Sequence, residues 1–194
     1  MTLYAATDVA NFFIDYYSRS VDPVNLPRAQ MLCYFAQAES LCRNGRPLFE
    51  DAFRAYNWGP GLTRLEFYYE GSGNMPIKVY KDYDRSIFDK EDWQLLMDVA
   101  IYYNMFSTSE LQIMSYACGG PWEQVYSKGT GMLDIDNSII AEFYGKLPRI
   151  PDYKTQVKEI INSASRIKLF SAYIEEENTP TVVYSVKEYT PTWE

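Results

Sequence analysis

Residues 28–62, RAQMLCYFAQAESLCRNGRPLFEDAFRAYNWGPGL, are the most informative part of the sequence because they join an amphipathic helix to a segment closed by a tight turn. Apolar side chains recur at three- and four-residue steps along the first half, a spacing typical of a helix. Pro27 fits a first helical turn, Asn25 lies just upstream as a capping residue, and Asn44-Gly45 follows the last apolar step. The pattern predicts a helix from about residue 27 to residue 44.

Polar side chains fall mainly between the apolar steps of this helix, among them Arg28, Gln30 and Gln37. A helix that packs on one side of a core keeps such residues on its outer face. We therefore expect one buried face and one solvated face.

The same spacing predicts further helices along the chain, most of them preceded by a capping residue. The predicted starts are Thr7 or Asp8, the Trp58-Gly59-Pro60 turn, Asp89, Ser107, Pro121, Asp134 or Asp136, and about residue 152. Residues 75–83, which include Pro76, are expected to be extended or irregular.

A joint bracketed by prolines, Pro148–Pro151, is the predicted boundary between residues 1–150 and a C-terminal extension, residues 151–194. After its helix, the extension holds two β-prone runs, 169–174 and 181–186. These form either a terminal hairpin or separate strands that pair elsewhere, including on a partner's sheet edge. The predicted fold class is mainly α, a compact multi-helix domain with a small extended segment and, in the first alternative, a C-terminal β-hairpin.

The composition favours one globular domain with an extension over two very small domains. The chain has 194 residues, 47% of them hydrophobic, which is enough for a substantial core. Eighteen Lys and Arg against 26 Asp and Glu give a net charge of -8. This charge repels phosphate backbones, so it argues against direct nucleic-acid binding and favours a basic protein partner.

The cysteines and the N-terminus favour a reducing compartment. Cys33 and Cys42 lie nine residues apart on one helix, hence on opposite faces, and cannot bridge. A signal peptide begins with a basic region, but no Lys or Arg precedes Arg19 in this chain. No run of residues approaches the ~18 apolar residues of a membrane span. We expect a cytoplasmic protein with reduced thiols and no membrane contact.

The helix and turn described above resemble the Panacea domain, the SocA-like or GepA-like antitoxin domain. That family pairs a K-L-Q-K-L-L-Y-F-A-like helix with G-K-P-L-F, then W-x-x-G-P or a close variant, and later a P-W pair. The matching residues here are Asp8–Asp15 for the first helix, Arg28–Ala36, Gly45–Phe49, Tyr56–Pro60 and Pro121-Trp122. The resemblance spans residues 8–126 and implies that residues 1–150 form a helical Panacea-like domain.

Two departures from the family pattern limit what the resemblance implies. Relatives often carry a His a few residues before the P-W pair, where this chain has Tyr116, Ala117 and Cys118. Both lysines of the helix motif are also replaced, by Arg28 and Met31. A partner contact that depends on those groups does not carry over to this chain.

Common catalytic and metal-binding patterns are absent from the sequence. With no His, nucleophilic triads and dyads that need one are excluded, and zinc would depend on scattered cysteines or carboxylates. Asp134–Ser138 begins like a calcium loop, but Ile139 replaces the required glycine and Gly145 stands where the bidentate Glu belongs. We therefore predict no catalytic, metal or cofactor-binding residues and no enzymatic activity.

Aromatic residues are in surplus, at 16% of the chain, with 18 Tyr, 4 Trp and 10 Phe. Tyr and Trp offer large, stiff contact area and often dominate binding energy. Packing in the core or at a turn is the alternative role for each of them. The residues predicted to contact a partner are Arg28, Trp58, Arg64, Tyr68, Tyr69 and Trp122.

The resemblance implies an antitoxin that neutralises a cognate protein toxin, encoded beside it, by covering the toxin's active cleft. An adaptor that delivers the toxin to a protease is an alternative within the same family. A His-free enzyme acting on a nucleotide or sugar, and a transcriptional regulator, are alternatives of other classes. The regulator would need a basic recognition helix, whereas the helices here carry mixed or acidic polar faces.

Overall fold

The computed structural model describes residues 3–20, 23–78, 83–126 and 132–163. Contacts divide the chain into two units, residues 1–156 and residues 157–194. The first unit is mainly helical with a small antiparallel sheet, which confirms the predicted fold class. Among the described residues its α-helices include α1 (Ala6–Tyr16), α2 (Leu26–Arg43), α3 (Thr63–Tyr68), α4 (Lys90–Tyr103), α5 (Thr108–Ser115), α6 (Pro121–Val125) and α7 (Asn137–Tyr144), and Arg85–Ile87 form a 3₁₀ helix.

The central element is α2, which packs against α1, α4, α5 and α7. Its predicted bounds are confirmed within a residue, and Asn25 caps it by accepting the Arg28 N–H at 3.0 Å. The expected solvated face is wrong, because Arg28, Gln30 and Gln37 are all buried. Helices surround α2 on several sides, so its polar side chains must find hydrogen-bond partners inside the protein.

Local capping signals placed most helix starts correctly. Asp89, Ser107 and Asp136 each accept a backbone N–H at the start of the following helix. The predicted cap of α1 is wrong, because that helix begins earlier, after Ala5. Asp8 instead occupies the third helical position, from which its carboxylate accepts the Ala5 N–H at 3.2 Å.

A three-stranded sheet holds the Trp58 turn. Its strands are β1 (Phe53–Tyr56), β2 (Gly59–Gly61) and β3 (Asp134–Ile135), ordered β2-β1-β3 and all antiparallel. The segment predicted only as a closing turn is therefore a β-hairpin, with Arg54 opposite Gly61 and Tyr56 opposite Gly59. Asp134, predicted as an alternative helix cap, lies in β3 instead.

A further helix begins after α7 at residue 153, close to the predicted start at residue 152. In the second unit, residues 157–163 are helical, and Val157, Ile160 and Ile161 are exposed. The β-prone runs 169–174 and 181–186 lie outside the described residues, and the boundary after residue 150 stays a prediction.

Two further findings concern thiols and membranes. All three cysteines are free, as predicted for Cys33 and Cys42. Within the described ranges, none of the helices combines the length and the apolar composition that crossing a membrane requires.

Candidate partner-binding surface

The outer face of the hairpin is built by the alternation of side chains along β1. Phe53 and Ala55 point into the core, whereas Arg54 and Tyr56 are only partly buried. The Trp58 side chain folds back over β2, where a Cβ on Gly61 would lie 2.2 Å from Trp58 Cη2. A glycine at position 61 therefore lets the indole lie directly on the strand.

An aromatic cluster, which we define as Tyr56, Trp58, Tyr116, Trp122 and Tyr126, covers this side of the hairpin. Trp58 stacks on Tyr56 with ring centroids 4.7 Å apart, and Trp122 stacks on Tyr126 at 4.5 Å. Trp122 Nε1 donates to the Tyr56 carbonyl at 2.7 Å, and the Tyr116 hydroxyl donates to the Trp58 carbonyl. Trp58 and Trp122 thus have a structural role and also keep part of each ring in solvent.

Tyr116, which stands in the region where relatives often carry a His, has a packing role in this chain. A Cβ on Gly59 would lie 3.2 Å from Tyr116 Cε1, so the phenol ring sits close against the turn. Burial raises the pKa of the Tyr116 hydroxyl, so this group stays a neutral hydrogen-bond donor.

A polar groove adjoins the aromatic cluster. It is lined by Asp51, Ala52, Arg54, Thr63, Arg64 and Asp134. Arg64 Nε lies 2.6 Å from an Asp51 carboxylate oxygen, and Arg54 Nε lies 3.0 Å from one of Asp134. Thr63 Oγ1 is 2.9 Å from the Tyr56 hydroxyl, which joins the groove to the cluster. Exposed pairs of this kind contribute only ~0–1 kcal/mol each, so a partner can displace them at little cost.

The outer face of α3 extends the surface beyond the groove. Leu65 and Tyr69 face inward, with the Tyr69 hydroxyl donating to Asn11 Oδ1 at 2.8 Å. Phe67 is 74% exposed and Tyr68 is 45% exposed. Phe67 was not among the predicted contacts. The sequence does indicate its exposure, because Phe67 lies about 200° around the helix from the buried Leu65.

Two of the predicted contact residues are buried, so a partner cannot reach them without rearrangement. The Arg28 side chain is 2% exposed, and its Nη1 donates to the Phe106 carbonyl at 2.9 Å. A second guanidinium nitrogen of Arg28 donates to the Tyr103 carbonyl at 3.4 Å, so its charge caps the C-terminus of α4. Tyr69 is 6% exposed and anchors α3 on α1.

The other predicted residues are partly or fully exposed: Trp58 on the hairpin, Arg64 and Tyr68 on α3, and Trp122 on α6. We call the combined area the hairpin surface. The hairpin surface consists of Arg54, Tyr56, Trp58, Arg64, Phe67, Tyr68 and Trp122. The stretch 50–70 carries four carboxylates, Glu50, Asp51, Glu66 and Glu70, against two guanidinium groups. The surroundings of the hairpin surface are therefore net acidic.

No group of three or more His, Cys, Asp or Glu in the described part of the chain is placed to hold a metal ion.

Comparison with known proteins confirms the family resemblance. Residues 30–123 match the family described as "Antitoxin SocA-like, Panacea domain". "Antitoxin SocA" from Caulobacter vibrioides (strain NA1000 / CB15N) is 29% identical over 136 residues, which cover 65% of this chain and 72% of that protein. No solved structure gives a significant match. Every residue of the hairpin surface lies within the matched range.

Proposed function

We propose that this chain is the antitoxin of a toxin–antitoxin pair and that it neutralises its cognate toxin by direct binding through the hairpin surface. The match of residues 30–123 to the Panacea family and the similarity to Antitoxin SocA support an antitoxin role. The observation that supports the mechanism is that Tyr56 links Trp58, Trp122 and the groove: its ring stacks on Trp58, its carbonyl accepts from Trp122 Nε1, and its hydroxyl lies 2.9 Å from Thr63 Oγ1. Arg64 lines the same groove, and Tyr68 follows it one helical turn later on α3.

The aromatic cluster supplies contact area that is ordered before binding. The Trp122 ring is held by stacking on Tyr126 and by the hydrogen bond from its Nε1 to the Tyr56 carbonyl, and the Trp58 ring is held by stacking on Tyr56 and by its close packing over Gly61. Little rotamer freedom is therefore lost when a partner covers them. Phe67 offers an apolar side chain that is already exposed. Aromatic anchors of this kind often contribute ~2 kcal/mol or more to binding, within an interface of about 800 Å² per partner.

The charge of the surface favours a basic toxin. The carboxylates of Asp51 and Asp134 hold the two arginines of the groove, and Glu50, Glu66 and Glu70 add three further carboxylates nearby in sequence. This potential attracts a basic partner at long range and so raises the association rate. Added salt screens the attraction, so the association rate should fall as the salt concentration increases.

Co-expression with the adjacent reading frame tests the proposal. We expect that frame to arrest growth alone, and its product to co-purify with this chain and become harmless. If the adjacent frame is harmless alone and its product does not co-purify, the proposal is refuted. The toxin level in the co-expressing cell separates the two antitoxin mechanisms, because sequestration leaves it unchanged whereas delivery to a protease lowers it.

Surface variants then test the assigned site. Phe67→Ser changes an exposed side chain, so the fold should persist, and affinity for the co-purified product should fall about 30-fold. Met105→Ser is the matched control, since Met105 is 70% exposed but lies outside the hairpin surface. Equal binding by Phe67→Ser, Tyr68→Ser and the control would reject the hairpin surface as the toxin site.

A further inference from the structure

Two glutamine side chains on α2 are completely buried. Gln30 and Gln37 each have 0% exposed surface. They are seven residues apart, so they project from nearly the same face of the helix, about 10 Å apart along its axis. Burying an amide is unfavourable unless its donors and acceptor are satisfied, so these two positions need specific partners.

Each amide is satisfied mainly by the main chain of another segment. Leu48 N–H donates to Gln37 Oε1 at 2.8 Å, and Gln37 Nε2 donates to the Phe49 carbonyl at 3.1 Å. Leu62 N–H donates to Gln30 Oε1 at 2.8 Å, and Gln30 Nε2 donates to the Leu62 carbonyl at 3.2 Å. Each side chain therefore gives and accepts one main-chain hydrogen bond, as a neighbouring strand would.

The contacted main-chain groups bracket the hairpin. Leu48 and Phe49 lie just before β1, and Leu62 follows β2 directly. Gln30 Nε2 also approaches Glu66 Oε1 at 3.0 Å, which ties α3 to the same point. Pairing with β3 and the hydrogen bonds from Tyr116 and Trp122 hold the middle of the hairpin, and the two glutamines hold its ends. Since a two-stranded hairpin alone is only marginally stable, each of these attachments contributes to its position.

We propose that Gln30 and Gln37 are positioning residues for toxin binding, which fix both ends of the segment 48–62 on α2 and thereby pre-organise the hairpin surface. This inference rests on the proposed function for its link to the toxin, but the positioning itself is a property of the free chain. When either amide is lost, the hairpin samples open states that the partner must close again, and affinity falls even though no contact residue has changed.

Amide hydrogen exchange in the free chain tests the positioning. Gln30→Met and Gln37→Met keep an unbranched side chain of similar length and remove the amide. We expect amides of residues 48–62 to exchange at least about tenfold faster, while those of α4 change much less. Val99→Ala, a buried change in α4, is the control; it should raise exchange in α4 at least as much as in the hairpin. Equal acceleration in hairpin and α4 by the Gln variants would overturn the proposal.

The unmodified chain gives a second measurement that does not depend on whether the variants fold. The N–H groups of Leu48 and Leu62 should exchange as slowly as those in the middle of α2, because each is bonded to a buried amide. Rapid exchange of either N–H would overturn the proposal.

Affinity for the product of the adjacent reading frame completes the test. We expect Gln30→Met to weaken binding about tenfold or more, and Val99→Ala to leave it within about twofold. Local opening with unchanged affinity would overturn the role in recognition. If the unmodified chain does not bind that product, the proposed function fails while the exchange result still decides the positioning.

Discussion

Replacing Gly61 by alanine tests the packing of Trp58 on the hairpin. The new Cβ would lie 2.2 Å from Trp58 Cη2, 2.9 Å from Cζ3 and 3.0 Å from Cζ2. Non-bonded carbons prefer about 3.5–4.0 Å, so the indole must move by more than about 1 Å and lose its stacking on Tyr56. The cost is steric, because Gly61 does not have the positive φ that disfavours alanine.

The expected loss follows from two opposing effects. Forcing an extra carbon into a packed site costs about 1–3 kcal/mol, whereas alanine reduces the entropy of the unfolded chain and returns about 0.4–1 kcal/mol. We expect Gly61→Ala to lower the free energy of unfolding by about 1–2 kcal/mol, measured by urea denaturation with an unchanged slope.

A double-mutant cycle identifies the cause of this loss. In the Trp58→Ala background the clash is absent, so Gly61→Ala should be neutral or stabilising, and the coupling should reach about 1 kcal/mol or more. Gly45→Ala is the control, because Gly45 has a φ of +65° and a Cβ added there would have no atom within 4 Å. Its cost should be the same in both backgrounds. An equal cost of Gly61→Ala with and without Trp58 would refute the reasoning.

Three further predictions concern buried and capping groups. Arg28→Met should cost about 2–3 kcal/mol in urea denaturation, because the carbonyls of Tyr103 and Phe106 lose charged donors in a buried site. Ser107→Ala should cost about 1 kcal/mol by the same measurement, because the N-cap of α5 is lost. Burial raises the pKa of Tyr4 from 10.0 to about 12. The unfolded chain therefore releases this proton first, and stability present below pH 10 should fall as the pH rises toward 12, measured as the urea midpoint.

A control substitution for each prediction separates the specific effect from a general loss of stability. Arg54→Met removes an exposed ion pair and should cost less than about 0.5 kcal/mol, in contrast to Arg28→Met. Ser109→Ala changes an exposed serine inside α5 and should be nearly neutral or slightly stabilising. In Tyr4→Phe the decline above pH 10 should be smaller. A similar effect of each test variant and its control would contradict the stated cause.

The helices could be predicted because their signals are local. The caps Asp89 and Ser107 and the stop at Gly45 act within a few residues, and the structure places them as expected. The hairpin could not, since β2 consists of Gly59, Pro60 and Gly61, residues that indicate a turn. Its strand character comes from pairing with β1, and β1 in turn pairs with β3 far along the chain.

The candidate surface was predictable only in part. Trp58 and Trp122 were identified as single residues, but their association depends on tertiary contacts through Tyr56 and Tyr116. Arg28 was misplaced because the expectation of a solvated face assumes that a helix is covered on one side. Helices pack around α2 from several directions. The buried Arg28 guanidinium therefore donates hydrogen bonds to carbonyls at the C-terminal end of α4.

The amide bonds to the segment 48–62 have a consequence for how new specificities can arise. Gln30 and Gln37 bond to main-chain atoms of Leu48, Phe49 and Leu62, and not to any side chain of β1 or β2. The hydrogen bonds that hold this segment on α2 therefore do not depend on the identity of the outward side chains between those points. Grafting a different set of outward side chains onto this segment should redirect the chain to another target while the interior stays as it is.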